Sequence, residues 1–346
     1  MESSLIKKAA IGSVIYSIAA TGIILYLSAG KVVTISDVAQ DEVQKTEVSE
    51  VSDQHLLTFA LGESNTSYLR IPLPEGCKAE DIVIENHYMD QELCVLVANN
   101  DEEFYKENVI SGNRDMVEQG YYEVSEEGIK LNFQLSGIFE YRTILENNDL
   151  YISFLSPKEM YDRIIVIDPA CGGSNTGYEA DGLLEKSINL QIAKMLKEKL
   201  DKTDIKAYYT RIDDVNPEEE DRVRLANETK ADMYIRIQVN SHEDTSVYGL
   251  LAVYNGSYFI PGFGSVELAD VLEREVATSV KGRALGLSEA QAQDYALRNI
   301  TIPAAAIKVG CITNEQEAGL LGRDEYCDRI AAGIYNAIMK VYEEEL

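Results

Sequence analysis

The sequence predicts an α/β fold, a mixed and mostly parallel sheet flanked by helices, preceded by a β-rich domain and an N-terminal transmembrane helix. Three observations carry this. Residues Ala9 to Ala29 form an apolar run without a single charge. Short β-type runs crowd residues 56–157. From Arg163 onward, apolar strand runs alternate with helical patterns, as in a sheet covered by helices on both faces. At 346 residues the chain is long enough for two domains of roughly 100–200 residues each.

The first run is long enough, at about 1.5 Å per residue, to cross a hydrocarbon core of about 30 Å. Lys7 and Lys8 precede it, whereas Lys31 and then Asp37, Asp41, Glu42, Glu47, Glu50 and Asp53 follow. The positive-inside rule therefore makes residues 1–8 a cytoplasmic stub and 9–29 a single span of the cell membrane, with both later domains extracytoplasmic. The alternative is a cleaved signal peptide. Its apolar region would run only about 7–15 residues, though Ser28-Ala29-Gly30 could serve as a cleavage site. Residues 30–55 are acidic and without periodicity, and read as a solvated linker.

Residues 56–158 hold the runs SYLRIPL, DIVIENHYM, ELCVLVA, IKLNFQL and LYISFL. Turn formers such as Pro74-Glu75-Gly76 and Asn147-Asn148-Asp149 separate several of them. No motif in this domain carries chemistry, and His87, alone in a strand-like run, reads as structural.

Residues 163–346 change character. RIIVIDP (163–169) is a continuous apolar run, as a buried parallel strand requires. Glu185 to Leu200 places Ile188, Leu190, Ile192, Met195, Leu196 and Leu200 at helical spacing. Further strands are expected at Lys206–Thr210, Met233–Val239, Gly249–Tyr254 and Ala304–Val309, with a last helix from Asp324 to Tyr342.

Composition removes several function classes. Hydrophobic residues at 45% and charged residues at 26% exclude a wholly disordered chain. A net charge of −28 disfavours a nucleic-acid binder, and docking on anionic lipid by charge alone. The five cysteines show no zinc-ribbon or disulfide-framework spacing, and there are only three histidines, His55, His87 and His242.

Five motifs in order give the C-terminal half a family resemblance. They are IVIDPACGG (165–173), GLLEK (182–186), YTRIDD (209–214), DRVRLANETKADMYIRIQVN (221–240) and IPAAAIKVGCITN (302–314). This half resembles the zinc-dependent N-acetylmuramoyl-L-alanine amidases, which cut the amide between the glycan and the stem peptide of peptidoglycan. The β-rich domain resembles, more loosely, the wall-binding domains that accompany such enzymes.

The resemblance implies a site of two His and one Glu on Zn²⁺, with a second Glu as general base on the metal's water. Carried over by position, the first His falls on Cys171, the ligand Glu on Glu185, the second His on Gln238 and the general base on Lys308. Only Glu185 is retained. Thiolate is a good zinc ligand, but a neutral amide is a poor substitute for imidazole, and an ammonium can neither accept a proton at neutral pH nor tolerate a neighbouring dication. Arg236, where the family usually has Ser, adds another cation to the same strand. No catalytic set is therefore intact, and the positions read as vestigial, with no metal or other cofactor expected.

The sequence suggests that Lys308 takes the place of the metal and pairs with Glu185. On a second reading, Glu185 is simply a carboxylate favoured at a helix N-terminus. His242, four residues beyond Gln238, is a possible substitute ligand beside Cys171 and Glu185. Cys171 could act as a nucleophile only with a base nearby, and His242 is the only histidine in this domain. Cys311 and Cys327 read as core packing, and Gly172, Gly173, Asn175 and Gly177 as a turn that matches no phosphate loop.

Two functions follow. One is a membrane-anchored, non-catalytic amidase-like protein that binds peptidoglycan or an envelope protein. The other is an active amidase with an altered metal site. A structural member of an envelope complex, with its contacts on the β-rich domain, is a third reading.

Overall fold

The structure, a computed structural model, describes residues 55–60, 66–98, 101 and 103–344. The expected span over 9–29 and all but the last residue of the acidic linker lie outside the described residues. Among the described residues, no helix is long and apolar enough to cross a membrane. The chain divides into two compact units, with the boundary between Leu155 and Ser156.

The first unit is built from strands β1 (His55–Leu56), β2 (Leu69–Pro72), β3 (Ile82–His87) and β4 (Glu92–Val97), a helical turn α1 (Phe104–Glu107), and strands β5 (Ser111–Gly112), β6 (Val117–Ser125), β7 (Gly128–Leu135), β8 (Glu140–Glu146) and β9 (Asp149–Leu155). They form two antiparallel sheets, ordered β1-β6-β7-β4-β3 and β5-β2-β9-β8. Alternate residues supply a common core that includes Leu69, Ile71, Ile84, Val95, Leu131, Phe133 and Ile152. The β8–β9 hairpin turns on Asn147 and Asn148, both at positive φ (53° and 62°), where asparagine is tolerated and the turn twist matches the strands. All five expected runs are strands. His55, counted in the linker, begins β1 and pairs with Tyr122. Strands β6 and β8 were not anticipated, because VEQGYYEVS and EYRTILE carry polar residues along their exposed faces.

The second unit opens with a short helix α2 (Pro157–Met160) and continues through β10 (Ile164–Pro169), a small hairpin β11 (Glu179–Ala180) and β12 (Leu183–Leu184), helix α3 (Glu185–Leu200), β13 (Lys206–Tyr209), α4 (Glu219–Glu228), β14 (Met233–Asn240), β15 (Leu250–Tyr254), α5 (Ser265–Val280), β16 (Ala284–Glu289), α6 (Tyr295–Asn299), β17 (Ala304–Cys311), α7 (Glu315–Leu321) and α8 (Asp324–Glu344). The sheet order is β13-β10-β14-β17-β15-β16. Only the β15–β17 pair is antiparallel, so the sheet is mixed as expected. Helices α3, α5 and α8 cover one face; α4 and α6 cover the other.

Alternation along the central strands decides what each face buries. Ile165, Ile167, Ile235, Ile237, Ala305 and Ile307 pack under the long helices with Ile188, Ile192, Leu196, Leu272 and Ile334. Burying side chains of this size stabilises by about 1.5–3 kcal/mol each. Cys327 joins that core and Cys311 is also buried. On the opposite face, Asp168, Tyr234 and Arg236 replace hydrocarbon with a polar network. The carboxyl ends of β10, β14 and β17 meet at one edge, the usual place for a ligand in a sheet of this kind.

Candidate functional site

Beyond Asp168-Pro169 the chain turns through Cys171 (φ 64°) and Gly172 (φ 138°). A Cβ on Gly172 would stand 1.9 Å from the Val215 carbonyl oxygen, so glycine is required there. Arg211 fastens this turn to the start of α3. Its buried guanidinium donates to the carbonyl oxygens of Pro169 at 2.8 Å, Ala170 at 3.0 Å, Lys186 at 2.9 Å and Asp213 at 3.0 Å. Burial, with Arg222 nearby, lowers Arg211 to about 10, still protonated at neutral pH. Asp214 adds a second clasp, accepting from the Gly173 N–H at 2.9 Å and pairing with Lys186 at 2.6 Å.

Asp168 is fully buried beneath the turn. It accepts from Thr210 Oγ1 at 2.5 Å, from the Tyr234 hydroxyl and from Arg222, and Arg236 Nε lies 3.4 Å away. Burial alone would raise its carboxyl, but Arg222 and Arg236 outweigh that and hold it at about 2. Arg236 also forks onto Glu219, with both contacts at 2.8 Å. The extra cation of β14 is therefore neutralised within the scaffold.

Glu185 is the first residue of α3 and only 4% exposed. Its Oε1 accepts from the Val239 N–H at 3.0 Å and its Oε2 from the Tyr178 N–H at 3.0 Å, with Asn189 Nδ2 at 3.5 Å from Oε1. A Cβ on Gly177 would lie 2.5 Å from Glu185 Oε2 and 2.8 Å from Cys171 Sγ. The carboxylate and the thiol thus converge on the bare Gly177 backbone. Burial and the Glu185 charge push the Cys171 thiol up to about 11, so it is protonated at neutral pH.

These groups open into a cavity of about 410 Å³ lined by Cys171, Glu185, Gln238 and Lys308. All four positions singled out in the sequence share it. Gln238 and Lys308 are cross-strand partners on β14 and β17, and Leu251 faces Lys308 from β15. A register shift between Gln238 and Asn240 marks a bulge beside the cavity. Tyr178, Ser288, Glu289 and Asp294 complete the wall.

Two expectations are corrected. Lys308 forms no ion pair with Glu185. That carboxylate, on the first residue of α3, is already satisfied by the backbone N–H groups of Tyr178 and Val239, and the half-buried Lys308 has no ion-pair partner among the described residues. His242 does not line the cavity. It is exposed on the loop after β14, where its Nδ1 accepts from the Asp244 N–H at 3.0 Å and Thr313 holds its backbone. Within this unit, therefore, no imidazole lines the cavity to serve Cys171 as a base.

Residues 165–340 match the family described as N-acetylmuramoyl-L-alanine amidase, just over half of the chain. The chain belongs to the N-acetylmuramoyl-L-alanine amidase family. It is 29% identical over 224 residues to the germination-specific N-acetylmuramoyl-L-alanine amidase of Bacillus subtilis, across 60% of this chain and 91% of that protein. It is 30% identical over 182 residues to the uncharacterized protein YqiI of the same organism, across 53% of this chain and 86% of that protein. An N-acetylmuramoyl-L-alanine amidase structure from Clostridium difficile 630 aligns at 31% identity with a TM-score of 0.49, over 53% of this chain and 97% of that one. This is a cell-wall amidase-like protein of peptidoglycan biology.

Several amidase-family positions escaped the sequence reading. Arg211, Lys186 and Asp214 lie in matched motifs, but nothing in one dimension says that they clasp a turn to a helix. The β16 wall was missed because ALGLSE alternates weakly and lies half exposed.

Proposed function

We propose that this amidase-family protein binds peptidoglycan or an envelope partner without cutting it, held at the cell membrane by residues 9–29 with both units outside. The observation that carries this is Lys308, a cation without an ion pair among the described residues, in the cavity that also holds Glu185. Amide hydrolysis by the family's chemistry needs three good zinc donors and a carboxylate base. Here Gln238 brings a neutral amide and Lys308 a positive charge, so of the four matched positions only Cys171 and Glu185 carry zinc-type donors. Both Glu185 oxygens already face N–H donors. That donor set does not fit a zinc ion, and losing the base alone costs about 10²–10⁴-fold in rate. The cavity is still of ligand size. Its ammonium suits a peptide carboxylate, and Glu289 and Asp294 suit a peptide amine.

The test is incubation of the full chain with purified peptidoglycan, followed by sedimentation and mass spectrometry of the soluble fraction. The expected result is co-sedimentation with no released stem peptide. Release of stem peptide that is lost in Glu185→Gln would overturn this reading in favour of an active amidase with an altered site.

A further inference from the structure

We propose that the β3–β4 hairpin of the first unit binds a divalent metal of borderline softness, zinc or a close analogue, through His87, Glu92 and Cys94. A ring nitrogen of His87, a carboxylate oxygen of Glu92 and Cys94 Sγ all lie within 4.8 Å of one another. Around a shared zinc ion such atoms stand about 3.3–3.8 Å apart, so closing on a metal takes side-chain shifts of only about 1 Å. Nitrogen, oxygen and sulfur together are the donor mix that zinc accepts and that calcium or magnesium does not.

The backbone presents these donors on a regular ladder. His87 sits opposite Glu92, and Cys94 opposite Glu85 on one side and Asn132 of β7 on the other. Each donor also has an outer partner of the kind that orients metal ligands. Glu85 Oε2 stands 3.1 Å from His87 Nε2. The Tyr121 hydroxyl donates to Glu92 Oε1 at 2.7 Å, leaving the other oxygen for a metal. Cys94 Sγ donates to Asn132 Oδ1 at 3.0 Å, and both residues are 2% exposed although they lie on the polar side of the sheet.

Binding exchanges the Cys94 S–H bond for a metal–sulfur bond, and the proton leaves to solvent. The Asn132 amide then turns so that its NH₂ donates to the thiolate. A dication is welcomed by Glu85 and Glu92, against Lys130 on the neighbouring strand.

The test is titration of the full chain with Co²⁺, which reports thiolate coordination as a charge-transfer band in the near ultraviolet. The expected result is one equivalent bound with that band, bleached by Zn²⁺. Cys94→Ser should abolish the band and Cys171→Ser should retain it. His87→Gln, a change at a partly exposed hairpin position, should weaken Co²⁺ binding at least about tenfold with an unchanged circular-dichroism spectrum. A wild-type protein without the band, a band that survives Cys94→Ser or disappears in Cys171→Ser, or unaltered affinity in folded His87→Gln would each overturn the assignment.

Discussion

Glu185 Oε1 accepts a hydrogen bond from the Val239 N–H at 3.0 Å, and this contact ties the first residue of α3 to the end of β14. With the Tyr178 N–H on Oε2, it makes Glu185 a structural brace. Removing the carboxylate leaves two N–H groups unpaired at the cavity wall, each worth about 1–3 kcal/mol when fully buried. Water can enter the cavity and recover part of that. Glu185→Ala should therefore lower the unfolding free energy by about 2 kcal/mol, and Glu185→Gln by less, since an amide keeps one acceptor. Denaturant unfolding measures both; equal stability of wild type and Glu185→Ala would show that the brace carries no load.

Cys171 should be a slow thiol. Burial and Glu185 hold it near 11, so about one molecule in a thousand is thiolate at pH 8, against about a quarter for a free cysteine near 8.5. Alkylation by iodoacetamide, followed residue by residue in a mass spectrometer, should be at least about a hundredfold slower than for a free thiol, and should rise tenfold per pH unit up to about pH 10. Glu185→Gln removes the opposing charge, so labelling of Cys171 should accelerate in that variant. Slower labelling would mean that access, and not charge, controls this thiol.

Asp168 predicts a shape for acid unfolding. Its carboxyl is held at about 2 in the folded protein, below the ordinary 3.8. A depressed folded value contributes stability above the unfolded value, and that stability is lost as the pH falls through the folded one. The contribution is about 2 kcal/mol above pH 4, disappearing towards pH 2. Asp168→Asn should abolish this component of the pH profile. It should also cost about 3–5 kcal/mol at neutral pH, because the fully buried Arg222 loses its nearest charged partner and keeps only Glu219 at 3.5 Å. Unfolding curves from pH 2 to pH 7 on both proteins provide the comparison.

How far the sequence reveals this molecule depends on the range of the interaction. RIIVIDP and the α3 stripe were legible because burial imposes a period on consecutive residues, and α3 begins and ends where its pattern does. The cavity was legible because Cys171, Glu185, Gln238 and Lys308 sit in motifs whose order is kept. The pairing inside it was not. Opposite charges at two matched positions suggested an ion pair, whereas the competing partners of Glu185 are backbone N–H groups of Tyr178 and Val239, which carry no side-chain signature. His242 misled for a related reason: the loop that carries it leaves the sheet after the bulge, and spacing along a chain does not record that departure.

Lys308 separates a binding role from a structural one. An ammonium that replaced a metal as the partner of Glu185 would destabilise the fold when removed. The ammonium found here has no ion pair among the described residues and lies along the cavity wall between Gln238 and Leu251. Lys308→Met keeps the aliphatic stem's packing and deletes only the charge. Its unfolding free energy should stay within about 0.5 kcal/mol of wild type. Affinity for peptidoglycan fragments that carry a free carboxylate should fall about tenfold, which is about 1.4 kcal/mol, and the salt dependence of binding should flatten with it. Isothermal titration with purified fragments at two salt concentrations, beside unfolding curves, reads both quantities. A destabilised Lys308→Met with unaltered fragment affinity would return this lysine to the scaffold and leave the cavity without its recognition charge.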